Sequence, residues 1–324
     1  MSTTTHPTRT TAVAAPAPVP APKRRRKAAA NDLGTRSAIS EVEWRRPAVR
    51  RPWRVMHVVL LVLLAVAAIG PLLMLLKFAV TPTQDILRTP LSVFPHGVKW
   101  SNVTEAWNRV HISRYFFNSL YAAAGCWVSQ VVVATCTGYV LSVLRPRWGK
   151  VLNAAILCTL FVPAVVLLVP LYLVVLHPPL IGHSMLNTFW GVWLPAGASA
   201  FNVVLMTRFF DNLPREIFEA ARVDGAGPFR VFWSMVLPMS KPILGVVSVF
   251  AVIASWKDFL WPMLVLRNPN MQPLAVRLPS LQASTDLGVL MAAMAIAALL
   301  PVIMFLIFQR TFLNSAGMGG AVKG

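Results

Sequence analysis

Six apolar runs, each of about twenty residues or more, dominate this chain, and a run of that length matches the hydrocarbon thickness of a bilayer. They cover residues 55–79, 116–144, 151–176, 187–210, 242–266 and 288–312. In lipid every backbone polar group has to be satisfied within the protein, so only helices and closed barrels cross. Runs this long, without strict alternation, predict helices. The fold class expected is therefore an all-α integral membrane protein with six transmembrane helices, in which 56% of residues are apolar and 13% charged.

A formal charge of +19 suggests nucleic acid in a soluble protein, but 12 of the 30 Lys and Arg residues precede Val55, outside every apolar run. Residues 1–54, rich in Ala, Pro, Thr and Arg, hold too few large apolar side chains to repay ordering, so a disordered basic cytoplasmic tail is expected there. The folded domain is expected over 55–324. The cluster Lys23–Lys27 reads either as a nuclear-localisation or nucleic-acid patch, or as a solvated arm that touches anionic membrane lipid; the second reading implies no nucleic-acid partner. Ala65-Val66-Ala67 has the look of a signal-peptidase site, yet apolar residues continue past it to Leu76 and the basic region before it is too long. The first run is expected to stay as an anchor.

With both termini placed in the cytoplasm, the inner segments hold 22 Lys and Arg and the outer loops six, in accord with the positive-inside rule. The location implied is the cytoplasmic membrane, multi-pass. The outer loop Thr81–Tyr115, with Trp100 and Trp107 among polar residues, predicts one or two short helices on the membrane surface. Cys126, Cys136 and Cys158 fall inside apolar runs without metal-ligand spacing and read as packing residues.

Several runs are interrupted: Pro163 and Pro170 in the third, Pro195 and Gly197 in the fourth, Pro301 in the sixth. Proline removes a donor and frees a carbonyl, so these positions are expected to face other helices or a water-filled cavity. The fifth run holds Lys257 and Asp258, and an isolated charge inside a bilayer costs on the order of 3 kcal/mol or more. The two are therefore expected beside water or paired with each other, either with Lys257 snorkelling to the outer interface or with a contact to a solute. Pro163, Pro170, Asn187, Pro195, Trp256, Lys257 and Asp258 are the candidates for a pathway or its gate.

Residues 211–240 are the polar exception between the fourth and fifth runs. Asp211 or Asn212 is suited to cap a helix, Pro214 to its first turn and Gly225 to a left-handed exit, which predicts a helix over 213–224. Ile217, Ala220 and Ala221 share one side of it, while Arg215, Glu219 and Arg222 line another. A second helical stretch is expected to close at Leu237 and Pro238. A plain connector needs only a few residues, so a docking element is favoured over a solvated link.

Glu219-Ala220-Ala221, then Asp224-Gly225, then Met235, Leu237 and Pro238 resemble the EAA motif of permease subunits in binding-protein-dependent ABC importers. Met235 stands where that motif usually has Ile. The surrounding text is similar to the carbohydrate branch, the maltose-type permeases, as are Asn118-Ser119, Gly138-Tyr139, Pro163, Pro170-Leu171-Tyr172 and the tail Gly319–Gly324. Where that branch commonly has Trp-Asn-Asp or Trp-Asn-Glu, this chain has Trp256-Lys257-Asp258. The resemblance implies the type I importer permease fold with a cytoplasmic coupling helix. It also implies a second homologous permease, two ATPase subunits and an extracytoplasmic sugar-binding protein as partners. It further implies that Glu219 pairs with a basic residue in an ATPase groove, that Ala220 and Ala221 permit close approach, and that Gly225 permits the turn.

The chain has no G-x-x-x-x-G-K-[ST] loop, no HExxH and no GxSxG, and Asp258 is the one carboxylate within a run. The expectation is a non-enzyme that binds no cofactor, with ATP and Mg held by the ATPase partners. His57, His111, His177 and His183 sit at run edges or in loops and read as interfacial. The rival reading is an ion-coupled secondary transporter or channel acting alone, which normally calls for several membrane carboxylates.

Overall fold

The computed structural model describes residues 47–179 and 182–318. Most of the expected basic tail, and the Gly319–Gly324 tail, lie outside these residues. The described residues are helical, with no strand among them. Two compact units divide the chain, residues 1–69 and 70–324. The described part of the first is helical throughout. Helix α1 spans Pro47–Ala79, so it already includes the eight residues before the expected boundary at Val55.

The second unit begins within α1 and is organised around one long helix. After α2 (Thr83–Arg88) and α3 (Ser101–Asn108), the two short helices expected in the first loop, α4 runs from Ile112 to Tyr139. A π-helical turn at Val140–Leu144 ends it, with Arg145 in the left-handed region at φ 49°. Against α4 pack α7 (Trp190–Gly197), α8 (Ala200–Asp211) and α12 (Lys241–Lys257). Small residues permit the approach: a Cβ on Gly138 would lie 3.0 Å from Met206 Cβ and 3.1 Å from the Thr207 backbone nitrogen.

Six crossings were expected, several of them interrupted, and the structure shows where the breaks fall. By length and composition Arg51–Ala79 and Ile112–Leu144 each suffice to cross a membrane. The third run is α5 (Gly149–Thr159) and then, after a 107° bend, a 3-10 turn at Ala164–Leu167 leading into α6 (Leu168–Leu176). The fourth is broken at Ala198 and Ser199, between α7 and α8. The fifth ends at Lys257 and resumes as α13 (Leu260–Val265). The sixth lies within α15 (Leu287–Met318), as expected, and carries Pro301.

At the end of the unit where α4 starts, polar groups distant in sequence hold the loops. Asn118 Nδ2 donates to the carbonyls of Asn270 at 2.8 Å and Gln272 at 3.1 Å. Ser119 Oγ accepts from the backbone N–H of Leu274, which opens α14 (Leu274–Leu281), at 2.7 Å. Thr83 donates to Asp286, whose Oδ1 also accepts from Gly288 N at 3.0 Å. The Asp286 carboxyl is held below its ordinary range, first by the Thr83 hydroxyl, then by the Gly288 N–H and the Lys99 charge, against a partial burial that pushes the other way.

Candidate functional site: the α9 knob and a membrane cavity

Helix α9 (Arg215–Val223) is shorter than the expected 213–224, and its amino end is built differently. Pro214 holds the cap position, without a side-chain hydrogen bond. Asp211 does not cap α9. It is the last residue of α8, where its Oδ1 accepts from Ser142 Oγ at 2.7 Å and lies 3.6 Å from the Arg145 guanidinium. Asn212 likewise turns back, donating to the Arg208 carbonyl at 2.9 Å. Asp211 is thus held by two side chains of the turn after α4 and Asn212 by a last-turn carbonyl of α8, so the base of α9 is tied to both.

The carboxyl end of α9 fits the expectation closely. Gly225 adopts φ 75°, its N–H bonds the Arg222 carbonyl at 3.0 Å, and the Ala226 N–H reaches the Ala221 carbonyl at 2.9 Å. These two bonds are the Schellman closure, which needs a left-handed residue at the position Gly225 occupies. A Cβ at Gly225 would meet nothing within 4 Å, so the glycine serves the backbone angle and not a steric approach.

The packed side of α9 is Phe218 and Ala221, 8% and 1% exposed. The expected grouping of Ile217, Ala220 and Ala221 is corrected on this point: Ile217 is half-buried, whereas Ala220 is exposed beside Glu219, Val223 and Asp224. Phe218 is three residues before Ala221 and so shares its face, and a side chain that large decides which face turns inward. A cavity of 260 Å³ separates α9 from the turn after α4, with Ser142, Arg145, Asp211, Glu219 and Arg222 among its lining.

After Gly227 the chain forms α10 (Pro228–Val231), a π-helical turn at Phe232–Val236 and α11 (Leu237–Met239). Leu237 and Pro238 were expected to close this stretch, but the helix runs through them. The stop is Ser240, fully buried, after which α12 departs at 79°. Tyr139 fastens the stretch to α4, its hydroxyl donating to the Pro228 carbonyl at 2.8 Å and its ring centroid 5.0 Å from that of Phe232.

The candidate pathway residues are not brought together. Pro163 and Pro170 are exposed on this chain. Local bonds make this tolerable: Val162 N reaches Thr159 O at 3.2 Å, Val166 N reaches Pro163 O at 3.0 Å, and Pro170 falls in the first turn of α6, where no donor is missed. Asn187 serves as a loop clasp; at φ 55° its N–H bonds Val265 O at 2.9 Å and its Oδ1 accepts from Asn268 N at 3.0 Å. Trp256 is buried, donates to the Ala297 carbonyl at 3.2 Å and packs edge-on to Phe116. Lys257 is exposed, and among the described residues no ion pair joins it to Asp258.

Pro195 and Asp258 both line a 300 Å³ cavity among α4, α6, α7, α12 and α13. Both span breaks open onto it. Ser199 Oγ accepts from Asn202 N at 3.4 Å at the start of α8, and Asp258 Oδ1 accepts from Trp261 N at 3.4 Å at the start of α13, so each break is capped by its own side chain. Gln130, Ser255 and Trp261 complete its polar and aromatic wall. Sequence reasoning passed over Ser199, although Ser two positions after a Gly and just ahead of a helical stretch is a start signal.

This assembly, a core helix with broken neighbours and a closed, outward-facing knob on the loop between the fourth and fifth apolar runs, matches known proteins. Residues 131–315, more than half of the chain, match the family described as binding-protein-dependent transport system inner membrane component, and the chain belongs to that family. The sn-glycerol-3-phosphate transport system permease protein UgpE of Pectobacterium atrosepticum is 30% identical over 82% of this chain and 96% of its own length. The arabinooligosaccharides transport system permease protein AraQ of Bacillus subtilis is 28% identical over 84% and 96%. The diacetylchitobiose uptake system permease protein NgcG of Streptomyces coelicolor is 29% identical over 80% and 86%. A crystal structure of a bacterial ABC transporter involved in import of the acidic polysaccharide alginate shares the fold, with a TM-score of 0.72 at 21% identity over 80% of this chain and 96% of that one. The protein is thus an integral membrane permease subunit, non-catalytic itself, of a transport system that includes a substrate-binding protein and ATPase partners.

Proposed function

We propose that the chain moves a sugar or related polyhydroxyl solute inward across the cytoplasmic membrane, with both termini in the cytoplasm and α9 as the seat of an ATPase subunit. A second homologous permease completes the pathway, two ATPase subunits hold ATP and Mg, and an extracytoplasmic binding protein delivers the solute. The relatives named for sugar uptake support the solute class, and the distribution of Lys and Arg supports the orientation.

The observation that carries the proposal is the build of α9. Glu219, Ala220 and Val223 are exposed on a helix rooted by Phe218 and Ala221 and locked at its far end by Gly225. A short stiff element with a charged outer face transmits a push without absorbing it. Its motion biases two arrangements of the bundle, and ATP acts because the ATPase pair binds those arrangements unequally.

The test is reconstitution of the full importer in vesicles, with Glu219→Lys in this chain. Loss of ATP-dependent uptake, with weakened ATPase co-purification and normal membrane abundance, is expected. Normal uptake by that variant, or accumulation by this polypeptide alone under an ion gradient, overturns the reading.

A further inference from the structure

The cavity at the two span breaks has a chemistry that goes beyond transport in general. It holds one carboxylate, Asp258, and neither Lys, Arg nor His lines it. Lys257, next in the chain, is exposed and is not part of the wall. Gln130 is fixed from behind: Asn202, 2% exposed, donates to Gln130 Oε1 at 2.7 Å, which leaves the two Nε2 hydrogens of Gln130 for another acceptor. Ser199 and Ser255 add hydroxyls, and Trp261 adds an aromatic side chain whose Nε1 is already engaged with the Gly191 carbonyl at 3.0 Å.

The wall therefore offers donors and a strong acceptor close together, with an apolar aromatic surface beside them. A sugar hydroxyl both donates and accepts, and a sugar ring presents an apolar face, so it satisfies the whole set. A phosphate or carboxylate only accepts, and it meets Asp258 with no cation to offset the pair in a poorly screened interior.

Resting on the permease reading above, we infer that this cavity is a solute subsite for uncharged sugars and that Asp258 makes it reject anionic ones. The transported solute is then unlike sn-glycerol-3-phosphate or an acidic polysaccharide, although relatives of the chain are named for such compounds.

The experiment uses the full importer with its binding protein in vesicles and two labelled panels. One is neutral: arabinose, maltose, cellobiose and diacetylchitobiose. The other is anionic: sn-glycerol 3-phosphate, galacturonate and alginate oligosaccharides. Wild type is expected to accumulate a neutral solute and to disfavour every anionic one on the order of a hundredfold, the size of like-charge repulsion at about 6 Å in a protein interior. Asp258→Asn keeps an acceptor to cap α13 while removing the charge. It is expected to lower kcat/KM for the neutral solute about tenfold and to shrink the discrimination, whereas Asp258→Glu restores the rejection of anions. Should Asp258→Asn fail to insert, Ser255→Ala is expected to lower neutral uptake about threefold. Preferred uptake of an anionic solute, or neutral uptake unchanged in these variants, overturns the inference and leaves the permease reading standing. No ATP-dependent uptake from either panel overturns the permease reading and the inference with it.

Discussion

Replacing Gly225 by Ala isolates the backbone contribution of the α9 closure. The residue sits at φ 75° with nothing within 4 Å of a Cβ position, so the added methyl meets no neighbour and only the left-handed angle is penalised. For a residue with a Cβ that angle costs about 1–2 kcal/mol. If the turn relaxes to escape the strain, the two closing bonds from Gly225 and Ala226 are lost and α9 frays at its exposed end. An ATPase that binds only the closed form then loses apparent affinity by the fraction that remains closed, by up to a factor of roughly 5–30 for that energy. Asn tolerates the left-handed region far better, so Gly225→Asn should lose much less. Gly227 supplies the control, because a Cβ there also meets nothing within 4 Å and no positive φ is involved. The assay is titration of purified ATPase onto the detergent-solubilised permease pair for the three variants. Equal affinities for Gly225→Ala and Gly227→Ala, or an equal loss for Gly225→Asn and Gly225→Ala, would refute the reasoning.

Three further outcomes follow from the geometry. Phe218→Ala removes the buried anchor of α9 and should destabilise that region by about 3 kcal/mol, read as loss of ATPase co-purification although Glu219 and Ala220 are untouched; retained binding contradicts the anchoring role. Gly125→Ala places a Cβ 2.0 Å from Trp193 Cε2 and should lower the melting temperature by an amount corresponding to about 1–3 kcal/mol, whereas an unchanged melt would show that the indole moves freely. The Asp286 carboxyl, held low chiefly by Thr83, contributes stability above its ordinary titration range and loses it as pH falls through the lowered value. Tryptophan-fluorescence melts should therefore show an acid-side loss, starting below about pH 4, that Asp286→Asn lacks; parallel curves would argue against the clasp.

Local signals in the sequence were sufficient for much of this. The apolar runs located the helical segments, and Gly225 with the acidic and alanine residues before it located α9 within a few positions. What escaped were choices made by distant partners. Asp211 looks like a helix start in isolation, yet Ser142 and Arg145, 69 and 66 positions earlier, recruit it to close α8. Asn187 looks like a polar residue inside a span until its bonds to Val265 and Asn268 make it a loop clasp. The breaks at Ser199 and Asp258 also resisted prediction, because hydropathy averages over a polar residue that ends one helix and caps the next. Phe218 was overlooked as the anchor because the alanines of the motif drew the amphipathic reading one position aside.

The paired breaks have a further consequence for what fills the chamber between them. Two interrupted helices release backbone carbonyls and amides that lipid tails have no means to solvate, and both interruptions open onto one 300 Å³ space. Drying that space would strand the polar side chains of its wall, Gln130 and Asp258 among them, so water is expected to fill it whenever cargo is absent. Any compound that evicts it has to match its hydrogen bonds, and a greasy molecule of equal size is turned away by thirst of the walls instead of by their shape.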